Sequence, residues 1–236
     1  MRKSPTSAFT LLEMLTVLAI IVVLAGIVLG VAGHVQKGSA LARAKGEIAM
    51  LAAACESYKV DKGNYPRDLP VTGTSVTDTI SPKQNFIPTT DASGAYAKSS
   101  LFLYKELSGD RTKGGTEGTP PDGVTDAGEQ RYLKEIDARI LNAKQDASTK
   151  AITQVNYRPD PFGVPYADST AAAKAESDFQ KDLKLGKSPT RLTGNLLLGF
   201  NTGSFDLWST GGSVAKVSPA SDSAKDLEWA KWVKNW

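Results

Sequence analysis

The chain has 236 residues, 41% hydrophobic and 22% charged, enough for one membrane-length helix plus a domain with its own core. A net charge of +3 with scattered basic residues gives no argument for nucleic acid as a partner. One cysteine, Cys55, rules out an intrachain disulfide, and one histidine, His34, cannot by itself build a His-based metal centre.

The first element is a basic leader followed by an apolar block. Arg2 and Lys3 precede the small Ala8, then Phe9-Thr10-Leu11-Leu12-Glu13. From Met14 to Gly33 there is no formal charge, and the next charged residue is Lys37. Roughly 20 such residues match the span of a bilayer as a helix. The one acid, Glu13, stands at the edge of the block, where a carboxylate is expensive and therefore points to function. A cleaved secretory signal would have a core of roughly 7–15 residues followed by a small residue. Here the small residue comes first and the core is longer. A plain N-terminal anchor remains as the other bland reading.

The segment Ala8-Phe9-Thr10-Leu11-Leu12-Glu13 resembles the prepilin cleavage site of type IV pilins and of the pseudopilins of type II secretion. The resemblance implies cleavage between Ala8 and Phe9 by a membrane prepilin peptidase, N-methylation of Phe9, and Glu13 as the assembly glutamate. Ala8 stands where that family usually has Gly. It further implies a single pass through the bacterial inner membrane with the C-terminal domain in the periplasm. Partners so implied are other copies of the chain, minor pseudopilins, an inner-membrane platform, a motor ATPase and membrane lipid.

The chemistry of Glu13 can be argued on its own. Cleavage exposes an α-amine with a pKa of about 7.7–8.0. In a bundle of such helices, leaving that amine or the carboxylate buried and unpaired costs several kcal/mol. Pairing Glu13 with the Phe9 amine of a neighbour offsets this and fixes the axial stagger. An acid in the first turn also suits the helix dipole. The competing reading is that Glu13 only snorkels to the interface.

No proline lies between Phe9 and Tyr65, and Ile48, Leu51, Ala52, Cys55 and Tyr58 recur at helical spacing. One helix is predicted from Phe9 to about Lys62, on the order of 80 Å long. Its first half is bundle- or lipid-buried, and its second half is packed on a sheet with Cys55 in the core. Gly26, Gly30, Gly33 and Gly38 either let the helix unwind or let helices pack closely. Gly63-Asn64-Tyr65-Pro66 is a stop signal. The stretch Tyr58 to Pro66 also looks like the helix end of the major, G-type pseudopilin.

From Pro70 to about Ser100 the composition predicts loop. Ser99 or Ser100 is predicted to cap a short helix that ends at Gly109. Asp122, Asp126 and Glu129 cluster without EF-hand spacing, so a solvated loop is expected. Arg131–Ile136 and Ala151–Tyr157 read as strands. Asp160-Pro161-Phe162-Gly163-Val164-Pro165-Tyr166 reads as a rigid turn whose Phe162 and Tyr166 plug a sheet–helix seam. It resembles the Asp-Pro-aromatic-Gly-x-Pro-Tyr segment of the G-type pseudopilin. Thr170–Leu185 reads as a helix.

Asn195 to Trp208 alternates apolar residues around Asn201–Ser204 and predicts a hairpin. In the resembled family a calcium loop follows. Carried over, the calcium set is Leu207, Ser209, Asp222 and Asp226, with Ser213 where the family has an acid. No cofactor is certain on this reading, and calcium is the candidate. The closing Asn235-Trp236, with Trp229 and Trp232, is expected to pack on the sheet or a neighbour.

The predicted fold is α+β: a long N-terminal helix packed on a small antiparallel sheet. The boundaries are a leader at 1–8, a filament-core helix at 9–33, an amphipathic half at 34–63, and a pilin-like domain at 64–236. Insertions fall at about 70–130 and 168–190. The function so implied is a structural, non-enzymatic subunit of a secretion pseudopilus. The alternatives are a type IV pilin for adhesion, motility or DNA uptake, and a membrane-anchored binding module or hydrolase. Against an enzyme, the chain has no nucleophile motif, metal spacing or phosphate loop.

Overall fold

The computed structural model describes residues 10–68, 74–88, 94–133, 140–191, 198–213, 219 and 221–236. Side chains at 28–32 and 34 lie outside that description. The chain divides into two compact units, residues 1–42 and residues 43–236.

Helix α1, Leu11–Lys62, is continuous through Gly26, Gly30, Gly33 and Gly38. It ends as the sequence predicts: Gly63 takes φ 81°, its N–H returns to Lys59 O at 2.8 Å, and Pro66 follows. Within residues 1–42, twelve large apolar side chains from Leu11 to Ile27 are 52–83% exposed, on every side of the helix. A Cβ on Gly26, Gly33 or Gly38 would meet nothing within 4 Å. Among the described residues no helix is long and apolar enough to cross a membrane. The uncharged sequence runs on through positions 28–32, whose side chains are not described.

The second unit is α+β. After the spine half of α1 come α2 (Val76–Thr79), α3 (Ala95–Ser108), β1 (Asn142–Gln145), β2 (Ile152–Tyr157) and β3 (Ala167–Ser169). Then follow α4 (Ala171–Lys184), β4 (Asp206–Ser209), α5 (Asp222–Trp229) and β5 (Val233–Lys234). Instead of one sheet there are two small antiparallel ones among the described residues, β1-β2 and β3-β4-β5. Val155 on β2 pairs with Ala143, and Asp168 on β3 pairs with Leu207 on β4.

The predicted apolar stripe of α1 is real. Ile48, Leu51 and Cys55 are buried together with Ala44 and Ala54, while Ala52 and Tyr58 are half-buried. The sheet β3-β4-β5 is closed by aromatics. Trp208 stacks on Trp232 with centroids 6.0 Å apart, meets Tyr96 edge-on, and donates its indole N–H to Tyr96 Oη at 3.1 Å. Trp229 and Trp236 pack against the same core, as expected for packing tryptophans.

Three predicted elements differ. α3 begins at Ala95 with Gly94 as its cap, so Ser99 and Ser100 are not caps but buried mid-helix residues. Each bridges a backbone outside the helix. Ser99 Oγ donates to Asp168 O and accepts from Asp168 N, and Ser100 does the same for Arg158. β3 is a sheet edge among the described strands, and the Ser99 hydroxyl satisfies part of its open backbone. Residues 131–133 are not strand; 134–136 lie outside the described residues. Of the predicted hairpin, 198–205 is irregular and only Asp206–Ser209 is strand; 195–197 are not described. β4 pairs with β3 and β5 instead, because its four residues are buried on both faces and need partners on both edges.

Candidate functional site

Glu13 sits in the first turn of α1, exposed. Its Oε2 accepts from Thr10 N at 2.8 Å and from Thr10 Oγ1 at 2.9 Å, while Glu13 N donates to Thr10 Oγ1 at 3.2 Å. This is a capping box: each side chain satisfies a backbone N–H that the helix cannot. The sequence reading missed it, although Thr10-Leu11-Leu12-Glu13 spells the motif. The carboxylate is therefore pre-oriented at the head of the helix. Ala8 and Phe9, the predicted cleavage and methylation positions, lie outside the described residues.

In the second unit, the spine is fastened by polar anchors that hydrophobic periodicity does not reveal. Glu47 receives Arg43 Nε at 2.9 Å, Arg158 Nη2 at 3.4 Å and Tyr166 Oη at 3.0 Å. The side chain of Arg158 is 4% exposed and that of Glu47 13%. Lower on the spine, Tyr58 Oη donates to Glu106 Oε2 at 2.7 Å, and Arg111 holds the same oxygen at 2.8 Å. Burial, then the Glu106 hydrogen bond, drives the Tyr58 phenol far above its usual value. It is a permanent donor, not an acid.

The turn at 160–166 works through its first and last residues. Asp160 Oδ1 accepts from Phe162 N and Val164 N at 2.9 and 3.0 Å, and Oδ2 accepts from Ser209 Oγ on β4. Burial raises the Asp160 carboxyl, and the Ser209 hydroxyl and the turn amides oppose that. Tyr166 plugs toward the spine as predicted. Phe162 does not: it lies against the backbone of Gly212, where a Cβ would fall 2.6 Å from its Cδ1.

The loop after α3 is largely exposed, as expected of a solvated loop, but not at its central acid. Asp126 is instead buried, and its oxygens accept from the backbone N–H of Arg111, Thr112 and Gly115 and from Thr112 Oγ1. Asp110 in turn receives Asp122 N, Gly123 N and Tyr104 Oη. Two carboxylates thus knit the loop through amide donors, the role a cation would fill through carbonyls.

Three of the four calcium candidates hold partners elsewhere. Leu207 O accepts from Asn235 N, the Ser209 hydroxyl is given to Asp160, and Asp222 pairs with Lys225. Asp226 lies on α5 and its carbonyl accepts from Ala230 N. Ser213, in place of the acid, donates to Glu228. Among the described residues no three His, Cys, Asp or Glu side chains are placed to hold a metal ion. Two acids fall short of the several carboxylates calcium prefers among its six to eight oxygens.

Residues 3–29 match the prokaryotic N-terminal methylation motif. No curated protein and no solved structure matches the chain. The motif implies a prepilin-type leader removed by a prepilin peptidase, an N-terminus anchored in a membrane, and a structural subunit of a pilus-type assembly. With the α+β fold and its long N-terminal helix, this supports a pilin-like chain.

Proposed function

We propose that this protein is a pseudopilin of a type II secretion system, cut between Ala8 and Phe9, methylated on Phe9 and polymerised into a periplasmic filament. The observation that carries the proposal is the first half of α1. A helix apolar on all sides and exposed on all sides needs lipid or other helices around it. One acid pre-oriented at its head gives those helices a counter-charge for the new α-amine. The spine then continues into a second compact unit. Minor pseudopilins, the membrane platform and its motor ATPase are the partners on this reading.

The Asp160–Tyr166 turn, which resembles that of the G-type pseudopilin, favours secretion over a surface pilus. Trp208 and Trp232 are buried in the core, which argues against a tryptophan binding face. Mass spectrometry of the membrane-extracted protein tests processing: the expected chain starts at Phe9 with one added methyl. An intact Met1 would reject it. Deletion of the gene tests the system. Lost export of secreted proteins is expected, and loss of surface fibres with normal export would assign a type IV pilin.

A further inference from the structure

β3 carries a carboxylate that nothing among the described residues answers. Asp168 is 1% exposed, and neither carboxylate oxygen has a hydrogen-bond partner. Its backbone is pinned on both sides, to Ser99 of α3 and to Leu207 of β4, so the residue cannot turn outward without opening the sheet edge.

The neighbouring groups make ionisation worse. On α1 the Cys55 thiol is wholly buried, and burial first, then the Asp168 charge, raises it. From β4 comes a second acid, Asp206. Asp206 has its own support, from the N–H groups of Phe200 and Asn201 and from the charge of Lys83. α3 offers only the Ser99 hydroxyl, already spent on backbone. α2 also packs on β3, and its acid Asp78 is committed to Arg67 and Thr170. No cation acts on Asp168 among the described residues. An unpaired charge in such a place neutralises itself rather than remain.

We infer that Asp168 keeps its proton in the folded globular unit, and that the hold of α3 and β4 on the edge strand β3 is thereby tied to pH. Burial first, and Asp206 second, hold this carboxyl well above the ordinary range, in agreement with the geometry. The unfolded chain releases the same proton above about pH 4. The contribution to stability is therefore complete below that pH and is lost as pH rises toward the folded value. An acidic surrounding tightens the unit, and an alkaline one loosens the edge strand where α3 and β4 hold it. This holds whichever filament system the chain serves.

The test uses the full-length chain in detergent micelles, unfolded with urea and followed by tryptophan fluorescence at several pH values. Asp168→Asn keeps the shape and is neutral throughout. The folding constant of the wild type relative to D168N is expected to fall about tenfold per pH unit over the acid-to-neutral range. Parallel pH profiles would overturn the inference. Infrared spectra of the wild-type chain at neutral pH form the second arm. A protonated-carboxyl band that resists deuterium exchange is expected, and its absence overturns the inference even if D168N does not fold.

Discussion

Tyr166 donates a 3.0 Å hydrogen bond to Glu47, joining the end of the Asp160–Tyr166 turn to the spine helix across 119 residues of sequence. Arg158 reaches the same oxygen from the other end of that turn. The acid is thus the point where chain segments far apart in sequence agree on where the helix lies.

Glu47→Gln should be the more damaging change at this point. It leaves Arg158, whose guanidinium is buried and has further unpartnered nitrogens, without a counter-charge. Removing one partner of a buried pair costs about 3–5 kcal/mol. Tyr166→Phe removes one bond to a charged acceptor, about 1.5–3 kcal/mol. Urea unfolding should rank the wild type above Y166F and Y166F above E47Q. The reverse order would mean that Arg158 is not satisfied by Glu47.

At Glu13 two roles can be separated by one atom. Glu13→Gln preserves the capping box, since Gln serves at that position as Glu does, but deletes the charge. Glu13→Ala deletes both. If the acid pairs with a neighbouring α-amine, both variants insert in the membrane and fail to assemble. If capping is its whole contribution, Gln assembles like the wild type and only Ala fails. Filament yield with membrane fractionation distinguishes them.

Gly212→Ala should destabilise the second unit for two reasons. Its φ of 73° disfavours any side chain by roughly 1–2 kcal/mol. The new Cβ would also meet the Phe162 ring at 2.6 Å. Phe162→Ala in the same chain should restore the second part and not the first. A double-mutant cycle in urea should show that coupling, and strict additivity would place the whole effect in the backbone.

Asp126 should make the loop after α3 acid-sensitive. Burial alone would raise its carboxyl, but the Thr112 hydroxyl and the Gly115, Thr112 and Arg111 amides outweigh it and lower the value. Its stabilisation is then present above about pH 4 and lost as pH falls through the lower folded value. That is opposite in sign to Asp168. Limited proteolysis should cut within 109–128 more readily at low pH, and Asp126→Asn should make the loop labile even at neutral pH.

Much of the spine was written in local sequence. Uninterrupted helix-compatible residues, the buried stripe at Ile48, Leu51 and Cys55, and the Gly63–Pro66 stop each depend on neighbours within a few positions. α4, β2 and the Gly109 terminus of α3 were legible for the same reason. The capping box at Thr10 and Glu13 was equally local and could have been read.

The rest depended on partners remote in the chain. Alternation around Asn201 suggested a hairpin, yet β4 found its two neighbours in β3 and β5, because a fully buried strand must bond on both edges. Ser99 and Ser100 looked like caps, since a serine's hydroxyl has no preferred target until folding supplies one. Tertiary structure supplied the open backbone of Asp168 and Arg158. Hydrophobic periodicity marked only the apolar stripe of α1, but a carboxylate with cations and a phenol around it can also be held inside, as Glu47 is. Sequence determined that there is an apolar spine with an acid at its head. Only the packed chain decided which polar groups lock it in place, because burial and pairing belong to the three-dimensional neighbourhood and not to the residue.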